Sequence, residues 1–97
     1  MTFINTFDVQ PDRHKELIEI LTAGIEQVIR HRPGFISATV LVNFEGTRVV
    51  NLARWHSADD VKATQADPAA AEFARRSAEI ATPNPAIYRA ASESEVG

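Results

Sequence analysis

The sequence contains no cysteine. That absence excludes a disulfide framework, a thiolate nucleophile, a zinc ribbon and an iron–sulfur cluster, and makes a reducing compartment, most simply the cytoplasm, the expected location. Basic excess is also lacking: Lys and Arg number 10 against 13 Asp and Glu, for a formal charge of −3. Neither nucleic acid nor an anionic membrane is therefore an expected partner. No apolar run approaches the ~18 residues of a membrane span, and the opening stretch from Met1 to Asp8 lacks the basic flank of a signal peptide. Motifs are sparse as well: there is no G-x-G-x-x-G, no P-loop, no H-E-x-x-H and no G-x-S-x-G. His14, His31 and His56 fall in separate elements without ligand spacing, so no metal site is expected. With 97 residues there is no room for a dinucleotide-binding domain beside a substrate domain. A domain this small buries only roughly 60–70% of its unfolded surface, so burial through oligomerisation would help it.

What is present is a regular alternation of periodicities. Thr2 to Val9 alternates with a period of two, Phe3, Asn5, Phe7 and Val9 on one face, and reads as a strand. Pro11 then opens a helix, with Leu17, Ile18, Leu21, Ile25, Val28 and Ile29 on its apolar stripe. Arg30, His31 and Arg32 end it next to Pro33-Gly34; cations suit a helix C-terminus, and a solvated end accounts for them better than an anion site. Phe35 to Asn43 and Thr47 to Trp55 read as a hairpin turning at Phe44-Glu45-Gly46. Ser57-Ala58-Asp59-Asp60 reads as a capped helix start running to about Ala66. Asp67-Pro68 restarts the helix, whose stripe is Ala70, Phe73, Ala74, Ser77, Ile80 and Ala81. After Thr82-Pro83-Asn84-Pro85, the stretch from Ala86 to Ala91 reads as a last strand, and 92–97 as a polar, mobile tail.

This order, βαββαβ, predicts a single α+β domain over residues 1–91, ferredoxin-like, with helices on one face of a four-stranded antiparallel sheet. Both faces of the hairpin carry apolar residues, so the face away from the helices is expected to pack against a second copy, making a homodimer.

One strand carries the chemistry. Thr47, Val49, Asn51, Ala53 and Trp55 share a face, so an amide and an indole N–H flank a small residue. Turned towards the helices, they would edge an apolar pocket with polar groups in need of partners. The same residues also fit a plain core, with Trp55 bonded to a backbone carbonyl and Asn51 tying down a loop. Glu72 and Glu79 lie at helical ion-pair offsets from Arg75, which reads as a surface ion pair.

Arg32-Pro33-Gly34-Phe35 before a strand, Glu45-Gly46-Thr47-Arg48-Val49-Val50-Asn51, and Trp55-His56-Ser57 ahead of an acidic helix start together resemble the antibiotic biosynthesis monooxygenase domain family. The resemblance spans about Phe3 to Arg89. It implies a dimeric α+β barrel, protomers packed sheet to sheet, and oxidation of polyketide anthrones or related phenols to quinones by O2 without metal, flavin or haem. On that basis Asn51, Trp55 and Arg75 (or Arg76, one residue on) are the implied catalytic residues, with Asn5, Phe7, Phe73, Tyr88 and His14 as candidate substrate contacts. The implied partners are a small aromatic substrate and O2, with no cofactor. Quinone-forming relatives carry a Tyr where this sequence has Val61, which would leave proton transfer to His14, to Tyr88 or to the substrate's own ionisation. Haem-degrading relatives use a His on the later helix and a second Trp; here no His follows His56 and Trp55 stands alone. A non-catalytic ligand-binding or auxiliary dimer of the same fold is the alternative expectation.

Overall fold

The computed structural model describes every residue from Met1 to Gly97. Strand β1 (Thr2–Val9) leads through a 3-10 turn at Pro11–Arg13 into helix α1 (His14–Gln27). A second 3-10 turn at Ile29–His31 precedes the hairpin of β2 (Phe35–Val42) and β3 (Arg48–Trp55). Helices α2 (Ala58–Gln65) and α3 (Pro68–Ile80) follow, then two short strands, β4 (Ala81–Thr82) and β5 (Pro85–Tyr88). The sheet is antiparallel in the order β2-β3-β1-β4, with β5 also paired to β1. This is the expected ferredoxin-like α+β architecture.

The expected single first helix is divided. Val28 leaves the helical region (φ −129°) and donates to Gly24 O, so the α-helix closes there and the basic residues fall beyond it. Arg30 pairs with Glu26 at 2.7 Å, and Arg32 lies 3.7 Å from Asp67. The last strand also differs: it starts at Pro85 and stops at Tyr88, because Tyr88 already faces Thr2, the first residue of β1, and the chain beyond has no strand to pair with. The break between α2 and α3 is built by side-chain caps. Ser57 Oγ accepts from Asp60 N at 3.1 Å and donates to Asp60 Oδ2 at 2.9 Å; Asp67 Oδ2 accepts from Ala70 N at 3.1 Å, with Pro68 opening the helix. Each cap satisfies a helix-end N–H that would otherwise be left without a partner.

The core lies between sheet and helices in two clusters. Phe7, Val9, Leu17 and Val49 form one; Ala53, Trp55 and Val61 form the other. On α1 the buried residues are Leu17, Ile20 and Gly24, a line one step round from the hydrophobic stripe. Gly24 belongs to it because Phe73 of α3 presses there: a Cβ at Gly24 would lie 3.1 Å from that ring. The other sheet face carries Ile4, Val50, Leu52, Leu41 and Tyr88. Leu41 is 49% and Tyr88 50% exposed. No helix is long and apolar enough to cross a membrane.

Gly34 adopts φ +85°, and a Cβ there would run into the Asp60 carboxylate while Gly34 O accepts from His56 N at 2.8 Å. Gly34→Ala is expected to lower unfolding stability by about 1–3 kcal/mol, more than the ~1 kcal/mol of Asp67→Ala. Urea denaturation checks both; a Gly34→Ala variant as stable as the parent would contradict the packing described.

Candidate active site

The pairing of β1 with β3 places Asn5 opposite Asn51 and Phe3 opposite Ala53, so both strands turn the same residue set towards the helices. Period-two alternation then brings Phe3, Asn5, Phe7, Asn51, Ala53 and Trp55 onto one floor. Above it lie Gly24 and Ile25 of α1, Val61 and Thr64 of α2, and Ala70, Phe73 and Ser77 of α3. Between floor and roof is a predominantly apolar cavity of about 480 Å³, within the range that holds a drug-sized ligand. Small residues make the space. Ala53 is buried to 3% exposure at the centre of the floor, and α3 crosses the cavity with Ala70, Ala74 and Ala78 interspersed between Phe73 and Arg75.

Trp55 is held by Phe35, whose ring meets it edge to face at 5.5 Å and 85°, and by Val61. Its main-chain N–H donates to Met1 O at 2.8 Å. Trp55 Nε1 and Asn51 Oδ1, by contrast, are buried without any hydrogen-bond partner. The core reading of these two residues required a carbonyl for the indole and a loop for the amide, and neither bond forms. A donor and an acceptor left unpaired in one cavity wall each cost about 1–3 kcal/mol, which a ligand bearing polar edges can recover.

The remaining sequence candidates divide. Phe7 and Phe73 line the cavity. Asn5 lines it too, but its Oδ1 accepts from Asn84 N at 3.0 Å, so the side chain fixes the Pro83-Asn84-Pro85 wall. Tyr88 stands on the opposite sheet face, across from Thr2, and is not brought to the cavity. His14 lies at the start of α1, its Nδ1 2.6 Å from Pro11 O and beside Gly46 of the hairpin turn, also outside. Arg75 is among the lining residues, but its side chain is largely exposed and its guanidinium is engaged along α3: Nε and Nη2 donate to Glu72 at 3.0 and 2.6 Å, and Nη1 pairs with Glu79. Arg76 stacks on the Phe73 ring, 5.3 Å from its centroid, and does not line the cavity.

The Arg75 hydrogen bond holds the Glu72 carboxyl below the ordinary carboxylate range, and the same bond raises the Arg75 guanidinium further. A depressed carboxyl stabilises above its ordinary value and loses that contribution as pH falls through the lowered one, so this exposed clamp stays ionised at neutral pH. Two hydroxyls that the sequence reading did not select also line the cavity. Thr64 Oγ1 donates to Asp60 O at 2.9 Å and Ser77 Oγ to Phe73 O at 3.0 Å. Helix back-bonding of this kind leaves no periodic signal beyond the stripe itself. No three metal-ligating side chains gather anywhere in the fold.

A helix-roofed sheet enclosing an apolar cavity with unpaired polar edges defines a small α+β domain with room for a ligand inside it. The chain belongs to the antibiotic biosynthesis monooxygenase family, whose profile matches residues 1–76. It is 45% identical over 67 residues to tetracenomycin-F1 monooxygenase of Streptomyces glaucescens, a match spanning 69% of this chain and 60% of that protein. Among solved structures, the monooxygenase ActVA-Orf6 of Streptomyces coelicolor, in complex with nanaomycin D, is 30% identical. It superposes with a TM-score of 0.77 over 97% of this chain and 91% of its own. SnoaB, a cofactor-independent oxygenase from Streptomyces nogalater, shares the fold at 23% identity and TM-score 0.75, covering 95% of this chain and 93% of its own.

The unpaired amide yields a stability test. Asn51→Leu removes a buried acceptor while keeping the branching of the side chain, the cavity beside it taking up the larger methyls, and is expected to raise unfolding stability by roughly 1 kcal/mol. Ligand binding should weaken at the same time. A clear loss of stability would show that the amide is bonded in solution.

Proposed function

We propose that the protein is a cofactor-independent monooxygenase that oxidises a fused-ring phenolic or anthrone-type substrate to a quinone with O2, and that it works as a homodimer. The observation that carries this reading is the pair of unpaired polar atoms, Asn51 Oδ1 and Trp55 Nε1, in the wall of an apolar cavity of about 480 Å³. The 45% identity to tetracenomycin-F1 monooxygenase and the nanaomycin D bound to ActVA-Orf6 support a polyketide-like aromatic as ligand.

The chemistry asks the protein to bind, orient and exclude water. An ionised anthrone transfers an electron to O2, and the resulting carbon radical and superoxide combine to form a C–O bond. The peroxide takes up a proton. Loss of the remaining C–H proton then breaks the O–O bond, leaving C=O and one water. Overall, CH2 and O2 give C=O and H2O. Trp55 Nε1–H would donate to the substrate oxyanion or the peroxide, and the Asn51 amide would fix a second polar edge. The apolar walls keep bulk water from the peroxide. Arg75 acts at the rim, where its charge is shared with two glutamates.

Oxygen uptake by chelator-treated protein with a dithranol-type anthrone tests the reading. The parent is expected to exceed the buffer rate, and Trp55→Phe and Asn51→Ala each to lower kcat by on the order of 10²-fold. No rate above buffer across several such substrates would leave a ligand-binding domain instead.

Ile4, Val50, Leu52, Leu41 and Tyr88 support the dimer, being a contiguous apolar face on the side away from the helices. A face of this kind on a small domain fits a self-complementary interface. Sedimentation is expected to show a dimer for the parent and a monomer for Leu52→Glu. A parent that sediments as a monomer would remove the interface.

A further inference from the structure

The indole N–H in the cavity wall is shut off from the cavity beside it. Trp55 Nε1 has essentially no accessible surface, and Trp55 as a whole is 4% exposed. A ligand filling only the existing space would meet apolar walls and leave that donor unpaired. Most side chains clustered around Trp55 belong to paired strands of the sheet; Ile29 sits on the turn after α1, and Val61, 2% exposed, on α2. Helix α2 is lightly anchored. It is eight residues long and buries only Val61 and Thr64, and the hydroxyl of Thr64 is satisfied within the helix by Asp60 O. Extended residues bound it at both ends, Ser57 at φ −151° and ψ 160°, Asp67 at φ −70° and ψ 126°. A short rigid rod between two non-helical joints is the geometry of a hinged element. Outside contact comes from Arg32, in the loop before β2. Its Nη2 donates to Ala63 O on α2 at 3.5 Å, its Nη1 lies 3.7 Å from the Asp67 carboxylate, and its Nε is buried without a partner. Ordinary N–H···O bonds run to roughly 3.2 Å. A guanidinium rich in donors is thus held by two long contacts, a fastening that keeps α2 in place and releases it at small cost.

We propose that α2 is a gate over the indole N–H of Trp55, and that Arg32 is the positioning residue that holds it shut. The gate turns at Ser57 and Asp67 and carries Val61 away from Trp55, so that a molecule in the cavity reaches Nε1. Arg32 does not line the cavity and acts only through α2 and the head of α3. The gate rests on burial and packing; that the uncovered N–H then meets a substrate rests on the proposed function above.

Trp55 is the single tryptophan, so its indole N–H gives one NMR signal whose hydrogen exchange on the full chain reports the opening. In the parent that exchange is expected to be slower than for a free indole and faster than for the slowest amides of the β1–β3 ladder, which open only on global unfolding. Arg32→Gln and Asp67→Asn each remove the charged contact, and asparagine caps a helix as well as aspartate does. Both are expected to speed indole exchange about 5-fold, leaving the ladder amides unchanged. The double variant is expected to add nothing beyond either single one, and Arg32→Lys, which keeps the charge beside Asp67, to restore most of the protection. Indole exchange as slow as the ladder in the parent, unchanged in both variants, or rising only together with the ladder amides would overturn the gate. Selective indole exchange with no oxygen uptake on any anthrone would keep the gate and remove the oxygenase reading. Oxygen uptake by a protein whose indole exchanges only with the ladder would do the reverse.

Discussion

The ladder between β1 and β3 runs uninterrupted from the Thr2–Arg54 pair to the Asp8–Arg48 pair, and its register decides which side chains reach the cavity. A slip of one residue would turn Asn51, Ala53 and Trp55 to the outer face and bring Val50, Leu52 and Arg54 inside. The register is held from both sides. Phe7 and Val49, facing each other at the far end of the ladder, are buried to 2% and 0% exposure, and Trp55 is sealed by Phe35 and Val61 at the near end. Both ends of the floor are thus packed, while its middle is left open by Ala53.

The roof follows from different physics. After Trp55 the Asp67-Pro68 break divides the helical layer in two, with side-chain caps satisfying both starts. Helix α3 then crosses α1 at Gly24, where the absence of a side chain lets Phe73 approach. Its alanines meet the cavity with little volume. The space for a ligand is therefore a consequence of small residues at contact points, while the stability of the layer comes from the clusters at either end.

The cavity wall sets two unpaired polar atoms, Asn51 Oδ1 and Trp55 Nε1, in an otherwise apolar lining. Asn51 and Trp55 are left without partners at the expense of stability, a pattern typical of residues retained for a ligand. Asp60 and Asp67 are engaged in helix caps, and Glu72 and Glu79 pair with Arg75. On the proposed function, such a wall would orient a reactive molecule and shelter it from water.

Strands β1, β2 and β3, the split helix and its two caps were legible in the sequence, because each rests on local rules: period-two alternation, a Ser or Asp before an acidic or proline-led turn, glycine at a reversal. So was the shared face of Asn51 and Trp55, since side chains four apart in a strand must point the same way. The pairing of Arg75 with Glu72 and Glu79 was legible too, as an offset within one helix. Local rules could not say that Asn5 spends its oxygen on Asn84 or that Tyr88 ends on the outer face. Those outcomes depend on which strand lies beside which and where β1 runs out. The sequence by itself determined the elements and the faces they present; only the tertiary structure decided which polar groups remain unpaired, because pairing is a property of neighbours brought together from distant parts of the chain.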